Sequence, residues 1–434
     1  MVALVASTAM LTTFAAPATG RAQPVALRPL ADAAGISFGA AVEVDALEDA
    51  GYRAVLVEHV NLVSTRGDLS MATVQPEQGV FDFSRAESIV DFAAENGMVA
   101  RGHELIGGAE PGWVVAGTWT AETLAQVLRD QVTAVVGHFR DRNPGVVVQW
   151  DVVGDAFLPD GTPRPTIWQQ VIGDDYIRIA FEAAHEADPD AVLVYDDFYD
   201  DVAVTQDAVA SGVPIIPGAN AERTTCDDVP KCVGVRDRIA ALVADGVPID
   251  GVGFQSHLFS PDPADFSQFT DWAGELGLNW LVTEFDVPLP VTEISNPETL
   301  DFQAQVYANA LRACVDAENC DTFVTWGISD RFSTIPAETG GAFDGALWFD
   351  MNDQPKPAFD AMAQVLAESG PPPPAPSTDP ADVLAADTTV DSGADTGDAA
   401  GTDDANTTIV AVVVGLGALG AIAAVIAVAR RRRS

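Results

Sequence analysis

The residues best suited to chemistry are carboxylates and a few partners placed just after short apolar runs. They are His103-Glu104, Asp151 and Asp155, Asp196-Asp197, Gln255 with His257, Glu284 with Asp286, and Trp326 with Asp330. Acidic, aromatic and histidine side chains recur there, with hardly a lysine among them. Two carboxyls, one after the fourth of these runs and one after the seventh, suit double displacement at a glycosidic bond. One attacks the anomeric carbon and the other gives and takes the proton, with a separation of about 5–5.5 Å.

Such residues converge only if the runs before them lie side by side. Eight strand-like runs are read at 37–42, 54–59, 98–105, 146–153, 191–198, 251–258, 279–287 and 321–329. Most are continuously apolar and turn polar at their C-terminal ends, as parallel strands buried on both faces do. Helical patterns fill most gaps, at 84–96, 121–139, 167–187, 235–245, 264–276, 297–316 and 357–368. Strand and helix alternating over this length predict an α/β fold of the (β/α)8 barrel type, whose working residues sit at the C-terminal strand ends. A doubly wound sheet is the alternative, but no GxGxxG turn follows the first strand.

The ordered motifs RGHEL (101–105), PGWV (111–114), WDVVGDAF (150–157), GVGFQSHL (251–258), LVTEFDV (281–287), TWGISD (325–330) and FDMNDQPKPAFDAM (349–362) carry a resemblance. In order and spacing the chain resembles glycoside hydrolase family 10, the endo-β-1,4-xylanases, over nearly the whole barrel. The resemblance implies Glu284 as nucleophile, supported by His257 and Asp286, and Asp155 as the acid/base candidate. It implies Gln255, His103 and Trp326 as substrate contacts, and no metal or cofactor.

The chain departs from the family pattern at specific places. Asn-Glu after WDVV reads Gly154-Asp155, which removes a contact to the sugar 2-hydroxyl and withdraws the carboxyl by one methylene, roughly 1.5 Å. PENEMKW reads Thr65 to Met71, so its Glu, Asn and Lys become Arg66, Gly67 and Ser70. Trp-His after GHTLV reads Gly107-Gly108, and a tryptophan expected eight residues after Trp326 reads Thr334. Two functions are therefore carried forward. One is a retaining hydrolase of xylanase type acting on β-1,4-linked plant polysaccharide. The other is a weakened or inactive barrel that binds polysaccharide at the cell surface.

Flanking segments set the expected location. Residues 1–22 read as a signal peptide and 27–369 as the barrel. Residues 371–408 read as a Pro-, Asp- and Thr-rich stalk without a basic residue, unable to bury a core. Residues 409–429 form an uncharged apolar run long enough to span a bilayer, and 430–434 carry the arginine cluster expected to stay cytoplasmic. The predicted location is the extracellular face of the cell membrane. In that compartment Cys226–Cys232 and Cys314–Cys320 are the natural disulfides; the second lies where many family members carry one. The cysteines lack zinc spacing and the carboxylates are spread over separate strands, so no metal site is expected.

Among 434 residues, 64 are acidic and 22 basic, a formal net charge of −42. Such a balance opposes nucleic-acid binding. The expected partners are a xylan-like polysaccharide and the membrane, with the barrel monomeric. His59 and Asn61 are read as closing the second strand, with a place in the cleft wall.

Overall fold

The computed structural model describes residues 25–107, 110–197, 225–258 and 266–370. The leader, stalk, membrane anchor and basic tail expected from the sequence lie outside these residues. Among the described residues no helix is long and apolar enough to cross a membrane.

Eight parallel strands close into a barrel: β1 (Ser37–Val42), β2 (Leu62–Thr65), β3 (Val99–Gly102), β4 (Val147–Gly154), β5 (Val192–Asp197), β6 (Gly251–Phe254), β7 (Asn279–Phe285) and β8 (Thr322–Thr325). Closure is made by β1 against β8, with Ser37 opposite Thr322 and Phe38 opposite Phe323. Strands buried on both faces keep no amphipathic alternation, which is why β1 reads SFGAAV with all but its first residue buried. The predicted (β/α)8 barrel is thus the observed one.

The second strand is a correction. Residues 54–59 belong to the helix Ala50–His59, and β2 is the short run LVST that follows. Asp49 caps that helix, its side chain accepting from the Tyr52 amide at 2.9 Å. Tyr52, Leu56 and His59 are buried at helical spacing, so packing overrides the β propensity of Val55 and Val57.

His59 therefore leaves the cleft wall. It is buried among Trp348, Phe349 and Phe359, and its Nδ1 accepts from the Leu27 amide at 3.3 Å. Asn61 stands before β2, at the opposite end from the strand termini that carry chemistry; its Oδ1 accepts from the Phe38 amide at 2.8 Å. The helix expected over 167–187 is two helices, Ile167–Ile172 and Asp175–Ala187, parted at Gly173, whose φ of 85° only glycine adopts easily.

Both lysines of the chain are buried beneath strand ends. Lys231 pairs with Asp197 at 2.6 Å and Lys356 with Asp330 at 3.1 Å. The disulfides Cys226–Cys232 and Cys314–Cys320 are both formed, the second joining the end of helix Pro297–Asp316 to the approach of β8.

Candidate active site

Glu284 lies one residue before the end of β7 and is buried. Its Oε2 meets His257 Nε2 at 2.9 Å, and His257 Nδ1 meets Asp286 Oδ1 at 3.0 Å. His257 and Asp286 also face each other as an isolated bridge just past β6 and β7, so the backbone fixes the spacing of the relay. On the other side, His103 Nε2 stands 3.5 Å from Glu284 Oε1, while His103 Nδ1 meets Asp151 Oδ2 at 2.9 Å.

Charge follows from this arrangement. Burial works against both imidazolium ions, but their carboxylates outweigh it. His103 is pushed up to about 10 by Glu284, Asp151 and Glu104. His257 is held well above its ordinary value by Asp286 and Glu284. Burial would raise Glu284, yet His103, His257 and Arg101 hold it below the usual carboxylate value. A buried carboxylate held below its usual value between two histidines has the charge a nucleophile needs.

Beneath it lies a second layer in which the strand-end residues Asp151, Asp196 and Asp197 meet Arg101 and Lys231, whose part the sequence does not announce. Arg101, fully buried in β3, hydrogen-bonds Asp151 and stands 3.8 Å from Asp196. Asp196 also accepts from Thr283 Oγ1 at 2.7 Å. Asp197 accepts from Tyr195 OH at 2.6 Å and pairs with Lys231, so the Asp pair of β5 serves the layer under the cleft. A lone arginine in β3 and aspartates in β4 and β5, inside otherwise apolar runs, were the available signal: charges buried in a barrel must pair.

The donor atoms of His103, Asp196 and Glu284 lie within 4.8 Å of one another, which corrects the expectation that no ligand-like cluster forms. His103 and His257 pair with Glu284, while burial and the charge of Asp151 raise Asp196 well above its ordinary value.

Asp155 follows β4 in a left-handed conformation, φ 50°, which aspartate tolerates better than most residues. Its Oδ1 is 3.4 Å from Gln255 Nε2, and Arg164 Nε donates to its backbone carbonyl at 2.6 Å. Trp326 presents its ring edge-on to both His103 and His257, with centroids 5.2 and 5.9 Å away. Arg66 lies over the Trp326 ring at 4.5 Å; it donates to Thr334 Oγ1 at 2.9 Å and approaches Glu43 at 3.7 Å. Asp330 is turned away, accepting from the Leu347 amide and Lys356. The structure thus gathers Glu284, His257, Asp286, His103 and Trp326 around one point and puts Asp155 and Gln255 together beside it.

Residues 26–214 and 222–365 match the model of glycosyl hydrolase family 10. An endo-1,4-beta-xylanase B of Thermotoga neapolitana is 34% identical over 352 residues, covering 80% of this chain and 93% of the relative. An endo-1,4-beta-xylanase C of Phanerodontia chrysosporium is 30% identical over 344 residues, covering 78% of each. Among solved structures, xylanase 10B of Thermotoga petrophila RKU-1 in complex with xylobiose superposes with a TM-score of 0.68 at 32% identity, covering 80% of this chain and 99% of that one. Native xylanase 10B of Thermotoga maritima gives the same score and identity, over 79% and 98%. With the family model spanning most of the sequence and the barrel superposing on these enzymes, the chain belongs to glycosyl hydrolase family 10.

Proposed function

We propose that this protein is a surface-anchored retaining glycoside hydrolase of xylanase type, cleaving β-1,4-linked polysaccharide of the xylan class by double displacement. One observation carries the reading: Glu284 is buried and held between His103 and the His257–Asp286 relay, which keep its carboxyl below the usual value. A barrel kept only as a scaffold has no use for a desolvated carboxylate so costly to bury. In the first step Glu284 attacks the anomeric carbon as the glycosidic oxygen leaves with a proton from a carboxyl on the opposite wall, where Asp155 and Glu104 stand. In the second, water drawn on by that same wall releases the sugar with net retention. The xylanases among its relatives support the substrate class.

The test is reducing-sugar release from xylan by the full chain beside Glu284→Ala. Release by the parent and none by the variant is expected; equal rates would sink the enzyme reading. The apolar run at 409–429 and its arginines support anchorage at the outer face of the cell membrane. Protease treatment of intact cells should then remove the barrel, and its full protection would refute that placement.

A second reading, a polysaccharide-binding barrel without turnover, draws on Arg66, which covers one face of Trp326 that a sugar ring could otherwise stack on. Retention on xylan with no new reducing ends would favour it.

A further inference from the structure

Glu104 closes the motif RGHE at the end of β3, half-buried, and its side chain crosses to the end of β4. A Cβ built on Gly154 would stand 1.9 Å from Glu104 Oε2. A Cβ built on Gly107 would stand 1.7 Å from Oε1 and 1.9 Å from the carboxyl carbon. The carboxyl therefore occupies space that any other residue at either position would fill. Two glycines, forty-seven residues apart, make room for one longer acid on the strand beside them. The glycines had been read as losses; in space they are a single replacement, which brings a carboxyl over the residue that precedes Asp155.

We propose that Glu104 is the acid/base of this cleft, having taken over from position 155 the proton transfers opposite Glu284. The inference rests on the retaining reading above. Several observations besides position support it. Burial first, then the charges of Asp155, Glu284 and Asp151, raise Glu104 to about 7 against the pull of His103, so near neutrality it exchanges its proton readily while Glu284 is held below the usual carboxylate value. That split of two carboxyls is what the chemistry needs. A cavity of about 10 Å³, the size of one water, borders Glu104 together with Gly107, Glu110 and Trp168. The shorter Asp155 instead faces the Gln255 amide.

In glycosylation the Glu104 carboxyl gives its proton to the glycosidic oxygen as the bond from the anomeric carbon to that oxygen breaks and Glu284 forms the ester. In deglycosylation the Glu104 carboxylate takes a proton from water as the water oxygen bonds to the anomeric carbon. The ester breaks and Glu284 returns as carboxylate. Asp155 becomes a positioning residue whose negative charge keeps the Glu104 proton on.

The test compares Glu104→Gln, Glu104→Ala and Asp155→Asn in the full chain, on xylan and on 2,4-dinitrophenyl β-xylobioside, whose leaving group needs no acid. Glu104→Gln should lose about 10²- to 10⁴-fold on xylan. Labelling of Glu284 by the aryl glycoside should persist in that variant. Azide should restore turnover of the aryl glycoside to Glu104→Ala and yield the β-xylobiosyl azide. Asp155→Asn should move the alkaline limb of kcat/KM on xylan to lower pH without azide rescue. Glu104→Gln within tenfold of the parent on xylan, or azide rescue of Asp155→Asn alone, would overturn the inference and leave the retaining reading standing. If the parent neither turns over the aryl glycoside nor becomes labelled at Glu284, the reading itself fails and the inference with it.

Discussion

Gly154→Ala is the most direct probe of how this cleft is built. The new methyl would sit 1.9 Å from Glu104 Oε2, and ordinary contact begins at 3.4 Å, so the carboxyl must withdraw by about 1.5 Å. The atom that must move is the free end of a flexible side chain. Its cost is that of an off-rotamer torsion, about 0.5–1.5 kcal/mol. Gly102→Ala is the contrast: its Cβ would lie 2.2 Å from two atoms of the Trp150 ring, which is buried and rigid. No torsion clears that clash, and overpacking should cost about 3 kcal/mol or more. Thermal unfolding should therefore show a small loss for Gly154→Ala and a large one for Gly102→Ala. Activity should order the other way among folded protein. Moving a reacting carboxyl by more than 1 Å is worth about 10²-fold, chiefly in kcat. In a Glu104→Ala background Gly154→Ala should cost no further stability, so the double-mutant cycle closes with a coupling of about 1 kcal/mol. Additive losses, or a Gly154→Ala enzyme with parental kcat on xylan, would refute the placement of Glu104 over β4.

Three further perturbations test the surrounding physics. Asp286→Asn removes the carboxylate that does most to hold His257 protonated; the His257 titration read by ¹⁵N NMR should move to lower pH, and kcat/KM should fall about 10- to 100-fold, whereas an unmoved titration would break the relay argument. His59, pushed down to about 4 by burial against an ordinary 6.5, is neutral in the folded chain. The unfolded chain binds its proton first as pH falls. Stability present above pH 6.5 should thus be lost progressively toward pH 4, by about 3 kcal/mol; urea midpoints of parent and His59→Gln across that range check it, and parallel curves would refute it. The Cys314–Cys320 bridge closes a loop with sequence separation 6; replacing both by serine should cost about 2 kcal/mol by loss of chain constraint, and an unchanged denaturation midpoint would show that it constrains nothing.

What could be read from the chain divides along physical lines. Seven of the eight strands announce themselves because a strand buried on both faces must be mostly apolar, and the polar turn at each C-terminal end marks the cleft. Glu284, His257 and Asp286 are legible for the same reason, each falling at such an end. The second strand is not. AVLVEH looks extended locally, and only Tyr52 and Leu56 in the core reveal the helix, while LVST is too short and polar to stand out. Arg101 is not legible within RGHEL because its meaning depends on Asp151, fifty residues away on the neighbouring strand. Side-chain crossings of this kind carry no sequence period. They become visible only once the register, here Gly102 opposite Trp150, brings two strand ends together.

That register also changes what the departures from the family pattern mean. Taken one at a time along the chain, Gly107, Gly154, Arg66 and Thr334 are four lost sugar contacts. In space they fall into two touching groups. Gly107 and Gly154 are the two walls around the Glu104 carboxyl, and Thr334 accepts a hydrogen bond from Arg66, which lies over Trp326. Side chains lost by drift would leave voids lined by atoms without partners, and each loss would be independent of the others. At Gly107, Gly154 and Thr334 the smaller residue borders a longer charged one, so these changes make structural sense together, whereas the Cβ position of Gly67 is open. A carboxyl with a raised proton affinity on one wall and a guanidinium over the aromatic platform amount to a rebuilt cleft around the Glu284–His257–Asp286 group. The substrate that fits it should differ from that of its relatives where Arg66 and Glu104 reach, not at Glu284.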